Sequence, residues 1–455
     1  MSGKDLVAAG LQPGRWFNEA LAQANQVLAA GGSMEQALAT ARGCAPPPVL
    51  PLHAVDGKPL HANIEAESDE DSANIALVTA TMRELLRTPV VKAGSVMPDA
   101  CPSGGPGTIP VGGIAVSEAI HPGMHSADIC CSMALSNFGF TDPAAVLDAV
   151  HGVTHFGPVV GERDATLPTD MAAAIAGNRF LRKLQGVARQ HFATQGDGNH
   201  FASVGRLSSS GETVLVTHHG SRGLGARLYK AGMDVAERFR LALSPETRPA
   251  NAWIPAETPD GEAYWEALQI VRGWTRASHF AIHDRAANHG GLVLRDRYWN
   301  EHNFVFRRAD GLFYHAKGAT PAFAGWAEDA TDLTIIPLNM AEPILIVRGS
   351  NAPHSLGFSP HGAGRNVSRT AHKRRLGGRS EGEVFAAETA RLDVRFYSGE
   401  IDVSELPSAY KDATSVRRQI GRFGLAEIVD EVVPYGSIMA GDWERNAPWR
   451  NKPRA

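Results

Sequence analysis

The sequence predicts an α+β fold, a mixed sheet core with peripheral helices. Three observations lead there. From Val90 onward, short β-branched runs alternate with glycine turns. One long stretch, Tyr264 to Asn288, is rich in helix formers and places Trp265, Leu268, Val271 and Trp274 at helical spacing. Polar residues capable of chemistry cluster at the ends of the β-rich runs, where loops on a rigid scaffold carry sites.

Taken in order, the chain opens with a helical piece. Phe17, Leu21, Ala24 and Leu28 fall on one helical face, and Gly31-Gly32 ends it. Ser33 with Gln36 forms a capping box for a second helix through Ala41. Pro46-Pro47-Pro48-Val49-Leu50-Pro51 cannot be helix interior and reads as a linker. The acidic run from Glu65 to Asp71 reads as a solvated loop. Further on, Thr213 to Thr217 is an apolar, β-branched strand that delivers His218 at its end. Pro343 to Val347 does the same for Gly349-Ser350. Leu392 to Phe396 alternates apolar with charged residues, as a half-buried strand does.

Composition limits the function classes. The chain has 455 residues, 43% hydrophobic and 20% charged, enough for a large core. Its net charge is -4, so any contact with nucleic acid must use a local basic patch. No apolar run approaches transmembrane length and no charged-then-apolar leader is seen. Four cysteines do not make a disulfide framework, and a reduced, cytoplasmic setting is expected.

His361-Gly362-Ala363-Gly364-Arg365 pairs a nucleophile with bare backbone. A neutral imidazole can attack phosphorus and carry the group covalently. The glycines let main-chain N–H groups approach a phosphate, and Arg365 and Arg369 stand near enough to share its charge. Upstream lie Asp128-x-x-Cys131, Gly196-Asp197-Gly198-Asn199-His200-Phe201, His218-His219-Gly220-Ser221-Arg222-Gly223, His302-Asn303, His315-Ala316-Lys317-Gly318-Ala319-Thr320 and Gly349-Ser350. In this order the seven motifs resemble those of the RtcB family of RNA ligases, over about Val91 to Gly441.

The resemblance implies a catalytic domain over residues 71–455, with 1–70 as an accessory helical segment and Pro-rich linker. It implies two manganese ions held by Asp128, Cys131, His200, His218 and His302, the thiolate bridging. By register alone, Cys130 and His219 are alternatives. Thiolate is softer than manganese usually prefers, so zinc could occupy the site without supporting the chemistry. His361 is implied as the nucleophile that takes GMP from GTP. Asn199, Asn303, Gly349, Ser350, Ser355, Gly362, Ala363 and Gly364 match positions around the nucleotide, with Asn351 as a backbone contact and Tyr410 stacking on guanine. The implied reaction joins RNA 2′,3′-cyclic phosphate or 3′-phosphate ends to 5′-hydroxyl ends, through a histidine-guanylate and an RNA 3′-ppG intermediate. Arg222, Lys317, Arg365, Arg369, Lys373, Arg374, Arg375 and Arg379 are candidates for the RNA backbone. His121, His125, His279, His283, His289 and His354 match no motif and are expected in packing or at the surface.

The chain also departs from the family pattern. In Met97-Pro98-Asp99-Ala100-Cys101 the cysteine replaces the usual histidine, and Arg348 replaces the proline before Gly349-Ser350. Ser203 stands where a glutamate usually reads guanine. Pro434 to Gly441 lacks the usual lysine near the base. These losses predict a weaker preference for GTP over ATP unless other groups compensate. Two other readings compete: a manganese-dependent phosphoesterase acting on RNA ends, and a non-catalytic RNA-binding module. Retention of His361 argues against the first, because hydrolysis needs no covalent nucleotide. The retained ligand set argues against the second.

Overall fold

Capping chemistry decides where the helices begin in the computed structural model, which describes residues 1–159 and 165–442. Ser33 starts the helix Met34–Gly43 through the expected reciprocal box, its hydroxyl accepting from Gln36 N while Gln36 accepts from Ser33 N. The acidic run is a helix start, not a loop. Ser68 caps the helix Asp69–Leu85, and Asp69, Glu70 and Asp71 occupy its first turn, where the helix dipole favours negative charge. The long helix runs over Pro259–Gly290, capped by Thr258 and closed by Gly291 at φ 60°.

Two sheets carry the chain. The larger is ordered Leu333–Ile336, Ile344–Gly349, Ala426–Met439, Phe201–Leu207, Thr213–His219, Ser132–Asn137, Asp296–Glu301, with Asp393–Phe396 pairing alongside Ala426–Met439. All its pairs are antiparallel except that last one. The smaller is ordered Leu60–Ala62, Val91–Cys101, Val111–Ser117, Phe313–Lys317, Asn303–Arg307. A short pair, Ala319–Pro321 with Phe358–Pro360, brings the chain to His361.

The long helix packs its inner face into the main core, burying Tyr264, Leu268, Val271 and Trp274. Each such side chain contributes about 1.5–3 kcal/mol. His279 and His283 lie on that face and are fully buried. Their rings bond Ser132, Ser136 and Thr217 at 2.6–3.0 Å, tying the helix to the strands that position the site. His121 and His125 are also fully buried, whereas the His354 ring bonds Phe423 O at 2.9 Å.

Three N-terminal helices, Gly3–Ala8, Phe17–Ala29 and Met34–Gly43, share a small core of their own around Leu6, Ala20, Ala24, Ala37 and Ala41. Leu60–Ala62 belongs to the smaller sheet through its parallel pairing with Val91–Cys101. Among the described residues, no helix is long and apolar enough to cross a membrane.

Candidate active site

Strand periodicity explains which of two adjacent residues faces the site. In Thr213–His219 successive side chains alternate between faces. His218 turns toward Cys131, its Nε2 3.2 Å from the sulfur. His219 points the other way and stacks on His279, ring centroids 3.5 Å apart. Cys131 immediately precedes Ser132–Asn137, while Cys130, in a turn at φ 56°, packs into the hydrophobic core. His302 sits where the larger sheet hands over to the smaller, between Asp296–Glu301 and Asn303–Arg307.

These elements bring five side chains together. His200 Nε2 lies 3.4 Å from Cys131 Sγ and 3.0 Å from Asp128 Oδ2. His218 Nε2 lies 3.2 Å from His302 Nε2. The donor atoms of Cys131, His200 and His218 all fall within 4.8 Å of one another. All four of Cys131, His200, His218 and His302 are buried.

The electrostatics suit a cation. His218 Nδ1 is 3.1 Å from Asn199 O, which fixes the ring so that Nε2 keeps its lone pair. Burial pushes the pKa of His218 down to about 3 and that of His302 well below the usual value, so both rings are neutral and able to donate a lone pair. Burial, with Asp128 beside it, raises the Cys131 thiol. A positive ion is what would draw off that proton. Burial alone would raise Asp128, but His200 and Arg222 outweigh it and keep the carboxyl ionised. Thiol, imidazole and carboxylate donors converging on one point fit a transition-metal site.

His361 stands next to this cluster, its ring centroid 4.8 Å from that of His302. Its Nδ1 is 2.6 Å from Oδ2 of Asp99, which also accepts from His361 N at 3.2 Å. Asp99 is fully buried, and its Oδ1 has no partner among the described residues. Lys411 secures the chain on both sides of it, donating to Pro98 O at 3.1 Å and Ala100 O at 2.8 Å. Asp99 lies within Met97 to Cys101 and Lys411 directly follows Tyr410, but no local pattern marks either as part of the site. Glycine is required twice here. Gly318 has φ 63°, and a Cβ on it would lie 2.9 Å from His361 Cε1. Gly364 has φ 73°, and a Cβ there would collide with Asp99 O.

A cleft of about 900 Å³ opens over these groups. Asp128, Cys131, His218, His302 and His361 line it, as do Asn199, Asn303, Gly362, Ala363, Gly364 and Tyr410. Asn303 is also structural, accepting from Gly318 N at 2.6 Å. Tyr410 donates to Glu405 Oε2 at 2.5 Å, and the Arg365 guanidinium lies 4.2 Å from its ring centroid. Lys317 lines the cleft as well, and burial pushes its pKa down to about 8.

Other expected residues are placed differently. Gly349, Ser350, Asn351 and Ser355 do not line the cleft. Ser350 donates to Gly424 O and to Leu425 O, Asn351 accepts from Arg308 at 3.3 Å, and Ser355 is buried and donates to Ala352 O. Arg365 and Arg369 are both held by Glu405, at 2.8 and 2.7 Å. Lys373 pairs with Asp442 at 2.9 Å and Arg375 with Glu70 at 2.7 Å. Arg222 contacts the donor cluster, its Nη1 3.3 Å from His200 Nδ1.

Comparison with known proteins bears on this geometry. A family model described as tRNA-splicing ligase RtcB matches residues 162–440. Proteins named tRNA-splicing ligase RtcB are similar to this chain. That of Archaeoglobus fulgidus is 28% identical over 299 residues, covering 56% of this chain and 61% of the relative. That of Aeropyrum pernix is 29% identical over 287 residues, covering 54% and 59%. That of Methanopyrus kandleri is 26% identical over 356 residues, covering 66% and 34%. The match thus spans less than two thirds of each relative's length.

Proposed function

The chain belongs to the RtcB family, and we propose that it is a manganese- and GTP-dependent RNA ligase, joining 2′,3′-cyclic phosphate or 3′-phosphate ends to 5′-hydroxyl ends in RNA repair. The observation that carries this reading is His361. One ring nitrogen is held by a buried carboxylate, and the ring lines the cleft beside a convergent set of metal donors.

Asp128, Cys131, His200, His218 and His302 would hold the two manganese ions. Bound there, the ions would neutralise charge on phosphate oxygens as it moves. Asp99 accepts from His361 Nδ1–H, which orients the ring and leaves a lone pair on Nε2. That lone pair attacks the α-phosphorus of GTP. An N–P bond forms, the bond to the bridging oxygen breaks, and pyrophosphate leaves with the electron pair. An RNA 3′-phosphate oxygen then takes the guanylate, giving the 3′-ppG end and restoring the imidazole; a cyclic end is first opened by water. Attack of the 5′-hydroxyl on the activated phosphate forms the phosphodiester, GMP leaves, and the hydroxyl proton passes to solvent.

Asn199, Asn303, Gly362, Ala363, Gly364 and Tyr410 are the proposed nucleotide contacts, since all of them line the cleft. A division into an accessory segment over 1–70 and a catalytic domain over 71–455 is proposed with it, with the strand Leu60–Ala62 and the helix Asp69–Leu85 crossing between the two; every side chain assigned to the site lies in the second part. A cytoplasmic location is part of the same proposal.

The test is incubation with labelled GTP and manganese, followed by denaturation. An acid-labile adduct on the wild-type chain, absent from His361→Ala, is expected. A wild-type chain that forms no adduct overturns the reading.

A further inference from the structure

We infer that Glu342 reads the nucleobase and that the base it selects is guanine. The inference rests on the proposal that the nucleotide is attached at His361.

Three carboxylates line the cleft among the described residues: Asp128, Glu342 and Glu405. Asp128 is paired with His200, and Glu405 with Arg365 and Arg369. Glu342 is exposed and its carboxylate has no hydrogen bond or ion pair among the described residues. Its backbone is nevertheless fixed, because Asn339 Oδ1 accepts from Ala341 N at 3.0 Å and from Glu342 N at 3.2 Å. A free acceptor pair is thus presented into the cleft from an anchored turn.

The turn starts beside the nucleophile. A Cβ on Gly362 would lie 3.0 Å from Pro337 O, so the segment from Pro337 to Glu342 leads away from the residue next to His361. A nucleotide bonded to His361 would extend along it. Leu338 and Met340 of this segment line the cleft, as do Phe201 and Met439 toward His218. Apolar and thioether side chains of this kind suit the faces of a purine.

The chemistry of the edge then selects the base. A carboxylate offers two acceptors and no donor. Guanine presents N1–H and an N2 amino hydrogen side by side, which matches both oxygens. Adenine presents a bare N1 on the same edge, and its lone pair would face the carboxylate. Ser203, on Phe201–Leu207 of the larger sheet, cannot play this part. Its hydroxyl donates to Gly436 O at 3.4 Å, and it carries no charge. The loss at Ser203 predicted weak selectivity, whereas Glu342 supplies a carboxylate from a different strand connection.

The test is equilibrium binding by calorimetry, with manganese present, of GTP, ATP and inosine triphosphate to the full chain and to Glu342→Gln. The wild-type chain should prefer GTP over ATP by on the order of tenfold or more, with inosine triphosphate, which lacks the 2-amino group, in between. In Glu342→Gln the GTP preference should collapse while ATP affinity is kept or improved. Retained ATP binding shows that the variant is folded. Equal affinities in the wild type, or an unchanged preference in the variant, overturn the assignment. Failure to bind any nucleotide overturns it together with the ligase reading. Selective binding through Glu342 without a His361 adduct overturns the ligase reading alone.

Discussion

His361 and Asp99 are 262 residues apart in sequence and 2.6 Å apart in space. A fully buried carboxylate on an imidazole Nδ1 fixes the tautomer, and in the proposed reaction it would stabilise the positive charge developing on the ring as Nε2 bonds phosphorus. Asp99→Asn keeps the shape and removes the charge. Adduct formation with GTP should slow by on the order of 100-fold, with manganese content unchanged. Single-turnover rates measure this, and a variant that reacts as fast as the wild type would show that Asp99 is only structural.

Cys131 converges with His200 and His218, and Cys130 does not. Cys131→Ala should therefore lose most of its bound manganese in equilibrium dialysis, and Cys130→Ala should retain it. Manganese should also stabilise the wild-type chain, by about 2.7 kcal/mol at one hundred times the dissociation constant. Greater metal loss from the Cys130 variant would reverse the assignment.

Local signals in the sequence were legible, and long-range ones were not. The Ser33–Gln36 cap and the strand that delivers His218 are written within a few residues, so composition and spacing show them. The acidic run was misread because three acidic residues behind a capping serine look the same in a solvated loop as in a first helical turn. Convergence of Asp128, Cys131, His200, His218 and His302 came only from resemblance to a family, since no local rule brings four segments to one point. Asp99 and Glu405 were missed for the same reason. Their partners, His361 and Arg365, lie 262 and 40 residues away.

Acid should destabilise this fold through its buried histidines. Burial pushes the pKa of His121 down to about 3, that of His125 to about 4 and that of His283 to about 3. In the unfolded chain each titrates near 6.5. Below that pH the unfolded chain takes up protons that the folded chain refuses, so stability falls as pH drops from about 6.5 toward 4. Each group costs up to about 1.4 kcal/mol per pH unit in that window. Urea midpoints at pH 7, 6 and 5 should fall steadily, and His283→Gln should flatten the slope. A midpoint constant over that range would contradict the account.

Glu405 is buried and holds Arg365, Arg369 and the Tyr410 hydroxyl at once. Two guanidinium groups beside the cleft are thereby engaged by one carboxylate of the protein, which offsets one of their two charges. Removing the side chain in Glu405→Ala would strand Arg365, whose side chain is only 16% exposed, and should cost on the order of 3–5 kcal/mol. Glu405→Gln keeps the volume and cancels the charge, so it should lose less stability while freeing both arginines. If they then engage RNA, affinity for single-stranded RNA should rise. Its salt dependence should steepen by about 0.7 in the log–log slope for each new phosphate contact. Titrations of Glu405→Gln and wild type across a series of salt concentrations measure that slope. An unchanged slope would mean that Arg365 and Arg369 do not reach the RNA backbone even when released, and that their role is to hold Tyr410 and the loop after His361 in place.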